Sequence, residues 1–196
     1  ELPKEFQKEC VLAYQDIGRS IDLAQILDLE YRGRLDLSEE DYIAQTYLVA
    51  AKFMAYMFQI CAPKQYRSEF FEVGKNLGIA FQLADDLIDI DATKQKGRGL
   101  GSDIKEGTPT LLSLYAYNRL ENQDKEKFKY IFGKKDLTED QLQWMITEYE
   151  KTNAIRDSNE KVKAYIDKAN NILSSLGIAK DHWIVTLGDY ITERKS

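Results

Sequence analysis

Prolines are the feature that most restricts how this chain can fold, because they are few and widely spaced. The 196 residues contain only three, Pro3, Pro63 and Pro109, so most of the chain is free of the residue that breaks helices. Runs in which apolar and polar residues strictly alternate, as half-buried strands require, are also scarce. The sequence therefore predicts an all-α protein.

Helix caps and breakers divide the chain into segments. Ser38 is followed by three acidic residues, which is the pattern of a helix N-cap with a negatively charged first turn, and Pro63 marks the end of the same helix. In the first predicted helix, a break near Gly18 stays open. The predicted helices cover residues 3–31, 38–61, 64–91, 110–122, 124–132, 138–152, 154–176 and 179–194.

Composition sets broad limits on the class of protein. The hydrophobic content of 43% is enough for one sizeable core, and the length favours a single domain over residues 1–196. With 27 basic and 33 acidic residues the net charge is −6, which argues against a nucleic-acid partner. No apolar run reaches the roughly 18 residues that a transmembrane helix needs. We therefore expect a soluble protein.

The cysteines and the histidine do not suggest a soft-metal site. Cys10 and Cys61 have no metal-ligand spacing, which favours a reducing, cytoplasmic environment. His182 is the only histidine, so histidine-based catalysis and a zinc site are not expected, and we assign it to a tail helix beside Trp183.

One segment combines apolar and acidic residues in an unusual way. Residues 78–89 read GIAFQLADDLID, with Asp85, Asp86 and Asp89 set among side chains typical of a core helix. On a helix these acids can point to one side, where their like charges destabilise it by roughly 0.2–0.5 kcal/mol per pair. They also lie near the C-terminal end of the predicted helix, where the helix dipole repels negative charge. The pattern predicts that Mg²⁺ binds there together with the phosphates of a substrate.

A solvated acidic surface is the alternative explanation of this segment. Three features favour a site: the apolar neighbours, the loop that follows, and the small residues Gly74, Gly78 and Ala80, which let another helix or a ligand approach closely. If the acids are functional, Asp89→Asn should leave the fold intact or slightly raise the melting temperature of the metal-free protein.

The loop over residues 93–110 is rich in glycine and carries Lys96, Arg98 and Lys105. Glycines let backbone amides turn toward an anion, and the three cationic side chains can face a metal-bound diphosphate. A mobile connector is the alternative. The loop does not match the pattern G-x-x-x-x-G-K-[ST], and no predicted strand precedes it, which argues against a nucleotide-binding fold.

The order of these motifs resembles the second aspartate-rich region of the trans-type polyprenyl diphosphate synthases. The matching segments are Phe81-Gln82-x-x-Asp85-Asp86-x-x-Asp89, Gly97-Arg98-x-x-Gly101-Ser102-Asp103 and Glu106-Gly107-x-x-Thr110-Leu111. Upstream, Asp22-x-x-Gln25 resembles an acid-x-x-Gln segment of the family, and Ala51-Lys52-Phe53 falls where the family has Lys-Thr. The resemblance implies a helical bundle of the isoprenoid synthase type.

The resemblance also implies an enzyme that transfers prenyl groups. Such an enzyme condenses an allylic diphosphate with isopentenyl diphosphate to a longer polyprenyl diphosphate, with Mg²⁺ as cofactor. A homodimer or heterodimer is expected and, because the products are greasy, loose membrane association is possible for this class.

The roles implied by the resemblance fall on particular residues. Asp85, Asp86 and Asp89 are assigned to the metal, with Asp85 as a direct ligand and Asp86 acting through water. Lys52, Gln82 and Asp85 take the catalytic roles. The residues assigned to substrate binding are Gln25, Lys52, Phe81, Gln82, Arg98 and Lys105. Asp103 is expected behind the metal ligands.

The sequence also departs from the family pattern. The first aspartate-rich region should lie well upstream of Gln25, where only the isolated acids Asp16 and Asp22 occur, and the chain begins at Glu1 rather than methionine. We therefore expect the C-terminal part of a synthase, lacking the N-terminal helices and incomplete for activity alone. Two alternatives stay open. One is a noncatalytic or regulatory subunit of a heteromeric synthase. The other is a class I terpene cyclase, which the Phe81-Gln82 pair with the following Gly-x-x-Gly-Ser-Asp loop disfavours.

Overall fold

The fold opens with a single long helix, α1 (Lys4–Tyr31), in the computed structural model, which describes residues 3–93 and 99–193. The helix continues through Gly18 without the break that the sequence left open. One stripe of α1 is buried, and it consists of Ala13, Ile17, Ser20 and Ala24. Many apolar side chains elsewhere on this helix are exposed, among them Tyr14 at 77% and Leu29 at 69%. Only one face of α1 is therefore covered by the described residues.

The next segment is one helical rod made of α2 (Glu39–Thr46), a π-helical turn (Tyr47–Ala51) and α3 (Lys52–Cys61). Its start confirms the predicted cap, because the Asp41 amide donates to Ser38 Oγ and the Ser38 amide donates to the Asp41 carboxylate. The π turn was not predicted. A turn with i→i+5 bonds takes in one residue more than an α turn, so it changes which α3 residues face α1.

The central helix is α4 (Arg67–Asp89), which packs against the rod and against a long helix over Ala154–Ser175. A Cβ added at Gly74 would lie 2.5 Å from the Met54 carbonyl oxygen, and one added at Gly78 would lie 2.5 Å from Ala51 Cα. The predicted close approach at these glycines is confirmed, and the element that approaches is a helix.

The chain beyond α4 is also helical. Its helices are α5 (Ser102–Glu106), α6 (Leu111–Arg119), α7 (Asn122–Ile131), α8 (Glu139–Lys151), α9 (Ala154–Ser175) and α10 (Trp183–Glu193). A short 3₁₀ turn (Lys64–Tyr66) lies directly before α4. The predicted helices are confirmed with ends shifted by a few residues, whereas α5, inside the glycine-rich loop, was not predicted. No strand occurs in residues 3–93 and 99–193, which confirms the all-α class. In that same part of the chain, no helix has the length and apolarity needed to span a bilayer.

The buried apolar side chains form two clusters that meet at α4. The first surrounds α4 and includes Val73, Leu77, Leu83, Val162 and Leu173. The second lies among α5 to α8 and includes Ile104, Leu112, Phe128, Met145 and Tyr149. Leu87, close to the C-terminal end of α4, packs against both clusters. The acidic end of α4 therefore lies at their boundary, and this boundary positions the candidate site.

Three glycines from separate turns meet at the end of α5. Gly33, Gly107 and Gly133 all have positive φ, at +75°, +71° and +84°. The Gly33 amide donates to the Gly107 carbonyl at 2.8 Å, and the Gly133 amide donates to the Ile104 carbonyl at 2.9 Å. A Cβ at Gly107 would lie 2.9 Å from Gly133 Cα, so no side chain fits there without moving backbone. We call this contact the three-glycine junction.

Candidate functional site

A cavity of about 150 Å³ lies where α1, α2, α4 and α5 meet. Most of the residues that line it have polar or acidic side chains, and the full set is Ala24, Gln25, Asp28, Tyr42, Gln45, Thr46, Val49, Gln82, Asp86, Asp103, Thr108, Pro109 and Thr110. Gln25 and Gln82, which the sequence singled out in separate motifs, therefore line one cavity together with Asp86. No lysine or arginine belongs to the wall that the described residues form.

Asp86 is a buried carboxylate held by protein donors on both oxygens. The Tyr42 hydroxyl donates to Oδ2, and Gln82 Nε2 donates to Oδ1 at 3.0 Å. Asp86 and Tyr42 are only 7% and 5% exposed. Burial raises the pKa of Asp86 to about 7; the two hydrogen bonds act against this rise, whereas the charges of Asp85 and Asp89 add to it. Asp86 is thus an ordered acid in the wall of the cavity.

Asp89 holds the start of α5. Its carboxylate accepts hydrogen bonds from the Ser102 amide at 3.0 Å, from the Asp103 amide at 3.1 Å and from the Ser102 hydroxyl. The Gly101 amide donates to the Asp89 backbone carbonyl at 2.9 Å. Although Asp89 ends α4, its carboxylate lies at the N-terminus of another helix, where negative charge is favoured. The unfavourable position of Asp89 at the end of the α4 dipole is therefore offset by donors from the start of α5.

Asp103 adds a fourth carboxylate to the three acids of α4. Burial is the largest cause that raises the pKa of Asp103 to about 8, followed by the charges of Asp86, Asp89, Glu106 and Asp85. The sequence placed Asp103 behind the metal ligands, whereas its side chain belongs to the cavity wall. The site therefore concentrates carboxyl groups in a partly buried space.

Lys52 does not reach this cavity. Its ammonium forms a 2.8 Å ion pair with Asp16 on α1, and Lys52 is not among the described residues of the cavity wall. The Lys52 ammonium and the Tyr56 hydroxyl hold the pKa of Asp16 below its usual value. One turn earlier, Val49 lines the cavity instead.

The other predicted residues divide between the core and the loop. Phe81 is half-buried against the core around α4 and does not belong to the described wall of the cavity. Lys105 donates to the Leu100 carbonyl at 2.8 Å, so it orders the loop in which the sequence placed it. Arg98 and Lys96 lie outside the described residues.

The sequence did not reveal several residues of the cavity wall. Among them, Tyr42, Asp28 and Val49 were not singled out from the sequence. The i,i+3 spacing of Asp28 from Gln25 on one helix was the available signal. Asp28 also pairs with Arg32 at 3.0 Å, and Arg32 reaches Glu106 at 3.5 Å, which ties the end of α1 to α5.

The chemistry of the site suits a hard cation. The wall offers carboxylate, amide and hydroxyl oxygens, and burial, together with the charges of the neighbouring acids, raises the pKa of Asp86 and Asp103. Within residues 3–93 and 99–193, no three His, Cys, Asp or Glu side chains already converge as a metal site. Mg²⁺ does not need such a cage, because it keeps several waters and binds through one or two carboxylates plus substrate phosphates. The residues therefore fit Mg²⁺ bound together with a phosphate ligand.

Comparison with known proteins gives a consistent set of relatives. A family model described as polyprenyl synthetase matches residues 2–149. The short chain isoprenyl diphosphate synthase of Methanothermobacter thermautotrophicus is 32% identical over 138 residues, which are 67% of this chain and 42% of the relative. Heptaprenyl diphosphate synthase component 2 of Bacillus subtilis is 31% identical over 139 residues, which are 68% of this chain and 38% of the relative.

Solved structures share the fold. The geranylgeranyl pyrophosphate synthetase of Pyrococcus horikoshii Ot3 matches with a TM-score of 0.84 and 25% identity, over 100% of this chain and 61% of that chain. The geranylgeranyl pyrophosphate synthase of Corynebacterium glutamicum, complexed with isoprenyl diphosphate and magnesium, matches in fold with a TM-score of 0.86 and 21% identity, over 99% of this chain and 57% of that chain. The chain spans 38% to 61% of the lengths of these four proteins.

Proposed function

This chain belongs to the polyprenyl synthetase family, and from that premise we propose that it is the C-terminal part of a trans-polyprenyl diphosphate synthase. In the proposed reaction, an allylic diphosphate loses its diphosphate group to give an allylic cation. The double bond of isopentenyl diphosphate attacks that cation, and loss of a proton completes the longer product. The named relatives are prenyl diphosphate synthases, which favours chain elongation over the terpene cyclase alternative.

One observation carries the proposal: Gln25, Gln82 and Asp86, from two motifs far apart in the sequence, line the same cavity. Among the acids, Asp85 is the proposed direct ligand of Mg²⁺, because it is the first carboxylate of the Asp85-Asp86-x-x-Asp89 motif. The carboxylates of Asp86 and Asp89 accept hydrogen bonds from protein donors. Asp86 and Asp89 then contribute charge from positions that the protein fixes.

When bound, Mg²⁺ would supply a Lewis acid that neutralises the departing diphosphate. The residues of the chain have separate tasks. Lys105 and Arg98, from the loop, are proposed to bind the diphosphate as cations. Gln82 offers its side-chain amide to the substrate. Lys52 is left out of the proposed catalytic set, because its ammonium is paired with Asp16.

Calorimetry with a nonhydrolysable allylic diphosphate tests the proposal. Wild-type protein should bind the analogue with Mg²⁺ and far more weakly without it, and Asp85→Ala should lose the Mg²⁺-dependent part. Asp136→Ala, which removes an exposed carboxylate from the turn before α8, should bind like wild type. Equal affinity with and without Mg²⁺, or an unchanged Asp85→Ala, contradicts the proposal.

A second candidate is that the chain works as a subunit with a separate partner. The observation that favours it is the exposed apolar surface of α1, where Leu12, Leu23 and Leu29 are 54%, 46% and 69% exposed. Helices with apolar residues on several faces are normally buried by other helices. A homodimer or a heterodimer would cover this surface, and a cytoplasmic location with loose membrane association stays part of the proposal. Sedimentation of the chain alone and with candidate partner subunits distinguishes these assemblies.

A further inference from the structure

The orientation of the Gln82 side chain depends on a residue of another helix. Gln82 and Asp86 are one turn apart on α4, so their hydrogen bond forms only while the Asp86 carboxylate keeps one rotamer. The Tyr42 hydroxyl, from α2, holds the other oxygen of that carboxylate. All three residues line the cavity.

The chemistry of these groups fixes which end of the amide faces Asp86. Gln82 donates from its NH₂ group to Asp86 Oδ1 at 3.0 Å, so the nitrogen end of the amide faces Asp86. The amide oxygen lies on the opposite side of the planar group. Gln82 therefore presents an acceptor to the cavity, and this orientation holds for as long as Asp86 stays in place.

We propose that Tyr42 is a positioning residue, which fixes Asp86 so that Gln82 presents its carbonyl oxygen to the ligand in the cavity. The inference rests on the proposed function, because the ligand is the Mg²⁺-bound allylic diphosphate. Tyr42 does not touch the reacting atoms in this account. Without its hydroxyl, one oxygen of a buried carboxylate loses its donor, and Asp86 can turn away from Gln82.

The chain supplies a matched control for this bond. The Tyr56 hydroxyl donates to Asp16 Oδ2 at 2.6 Å, which links α3 to α1 as Tyr42 links α2 to α4. Neither Tyr56 nor Asp16 belongs to the described wall of the cavity. Tyr42→Phe and Tyr56→Phe each remove one tyrosine hydroxyl from one carboxylate, but only the first change acts on Gln82.

NMR of the ¹⁵N-labelled protein tests the positioning role directly. The side-chain NH₂ signals of Gln82, assigned by their loss in Gln82→Glu, should exchange slowly with water in the wild type. Tyr42→Phe should shift these signals and speed their exchange, whereas Tyr56→Phe should leave them unchanged. An unchanged Gln82 signal in Tyr42→Phe, or an equal change in both variants, overturns the inference.

Binding gives the second readout. The affinity for a nonhydrolysable allylic diphosphate at saturating Mg²⁺ should fall roughly tenfold or more in Tyr42→Phe, as is typical when a residue that orients a ligand-binding group is lost. Tyr56→Phe should stay close to wild type. Wild-type protein without Mg²⁺-dependent binding contradicts the proposed function, whereas wild-type binding with equal affinities of the two variants contradicts only the role of Tyr42.

The wild-type protein provides a test even if Tyr42→Phe does not fold. Gln15 is an exposed glutamine on α1 and serves as the reference for free exchange. Slow exchange at Gln82 relative to Gln15 supports the fixed amide. Gln82 NH₂ protons that exchange as fast as those of Gln15 overturn it.

Discussion

Replacing Asp89 by alanine should destabilise the protein even when no metal ion is present. The carboxylate accepts from two backbone amides and one hydroxyl at the start of α5. Alanine leaves these donors without their acceptor and removes a negative charge from the N-terminus of that helix. The sequence alone led to the opposite expectation for a neutral substitute, because it did not reveal α5.

The size of the effect follows from these contacts. Loss of a capping side chain costs about 0.5–2 kcal/mol, and the partly buried carboxylate with three donors places Asp89 near the upper end, at about 2 kcal/mol. In a chain of this length, 1 kcal/mol shifts the melting temperature by about 2–4 °C. Asp89→Ala should therefore melt about 4–8 °C below wild type. Asp89→Asn keeps one acceptor oxygen, so its melting temperature should lie between those of wild type and Asp89→Ala.

Thermal melts followed by circular dichroism, with EDTA in one series and Mg²⁺ in the other, measure this shift. Asp22→Ala is the control, because it removes an exposed carboxylate from the surface of α1; such changes usually stay within about 0.5 kcal/mol. A melting temperature of Asp89→Ala in EDTA that equals or exceeds the wild-type value would refute the cap. The Asp89 carboxylate would then destabilise the metal-free protein, as expected of a group whose only role is to bind a ligand.

Three further predictions concern packing, pH and activity. Gly78→Ala should destabilise the protein by about 1–3 kcal/mol, because its Cβ would meet the backbone of Ala51. Gly18→Ala should stabilise the protein by roughly 0.5–1 kcal/mol, because its Cβ would have no atom within 4 Å. Urea titrations that give the same sign of change in stability for both variants contradict this account. The raised pKa values of Asp86 and Asp103, about 7 and about 8, mean that the folded state binds protons more tightly than the unfolded chain. The stability that this protonation contributes is complete below 3.8, the pKa in the unfolded chain, and is lost as pH rises through 7 and 8. Urea titrations without metal should show this loss of stability, and Mg²⁺ should reduce the loss. A stability that increases over the same pH interval contradicts the prediction. The chain alone should not elongate prenyl diphosphates, because losing even one group that stabilises charge in the transition state commonly costs ~10²–10³ in rate. Product analysis with radiolabelled isopentenyl diphosphate at high protein concentration checks this prediction. Turnover near that of longer relatives contradicts it.

Local patterns were enough to predict the helices and the position of the acidic segment. The Ser38 cap and Pro63 bound the second helical segment, and the glycines of α4 predicted a close contact that the structure contains. These features depend on neighbouring residues, so periodicity and capping reveal them.

The parts that could not be predicted depend on contacts between distant segments. Lys52 faces Asp16 because a π-helical turn precedes it, and no periodic pattern in the sequence marks that turn. One of the two donors to Asp86 is Tyr42, and these two residues are joined only when α2 and α4 pack together. The direction of the Asp89 carboxylate depends on α5, whose five residues are too few to show a helical period.

The three-glycine junction connects two exposed turns to the short helix α5, which forms part of the cavity wall. The amides of Gly33 and Gly133 donate to carbonyls of Gly107 and Ile104, at the end of the same short helix that carries Asp103. A ligand that shifts α5 must lengthen or realign both bonds, because no side chain lies between these backbones to absorb the motion. We therefore expect the amide signals of Gly33 and Gly133 to change when a ligand in the cavity shifts α5, without a label placed near the acids.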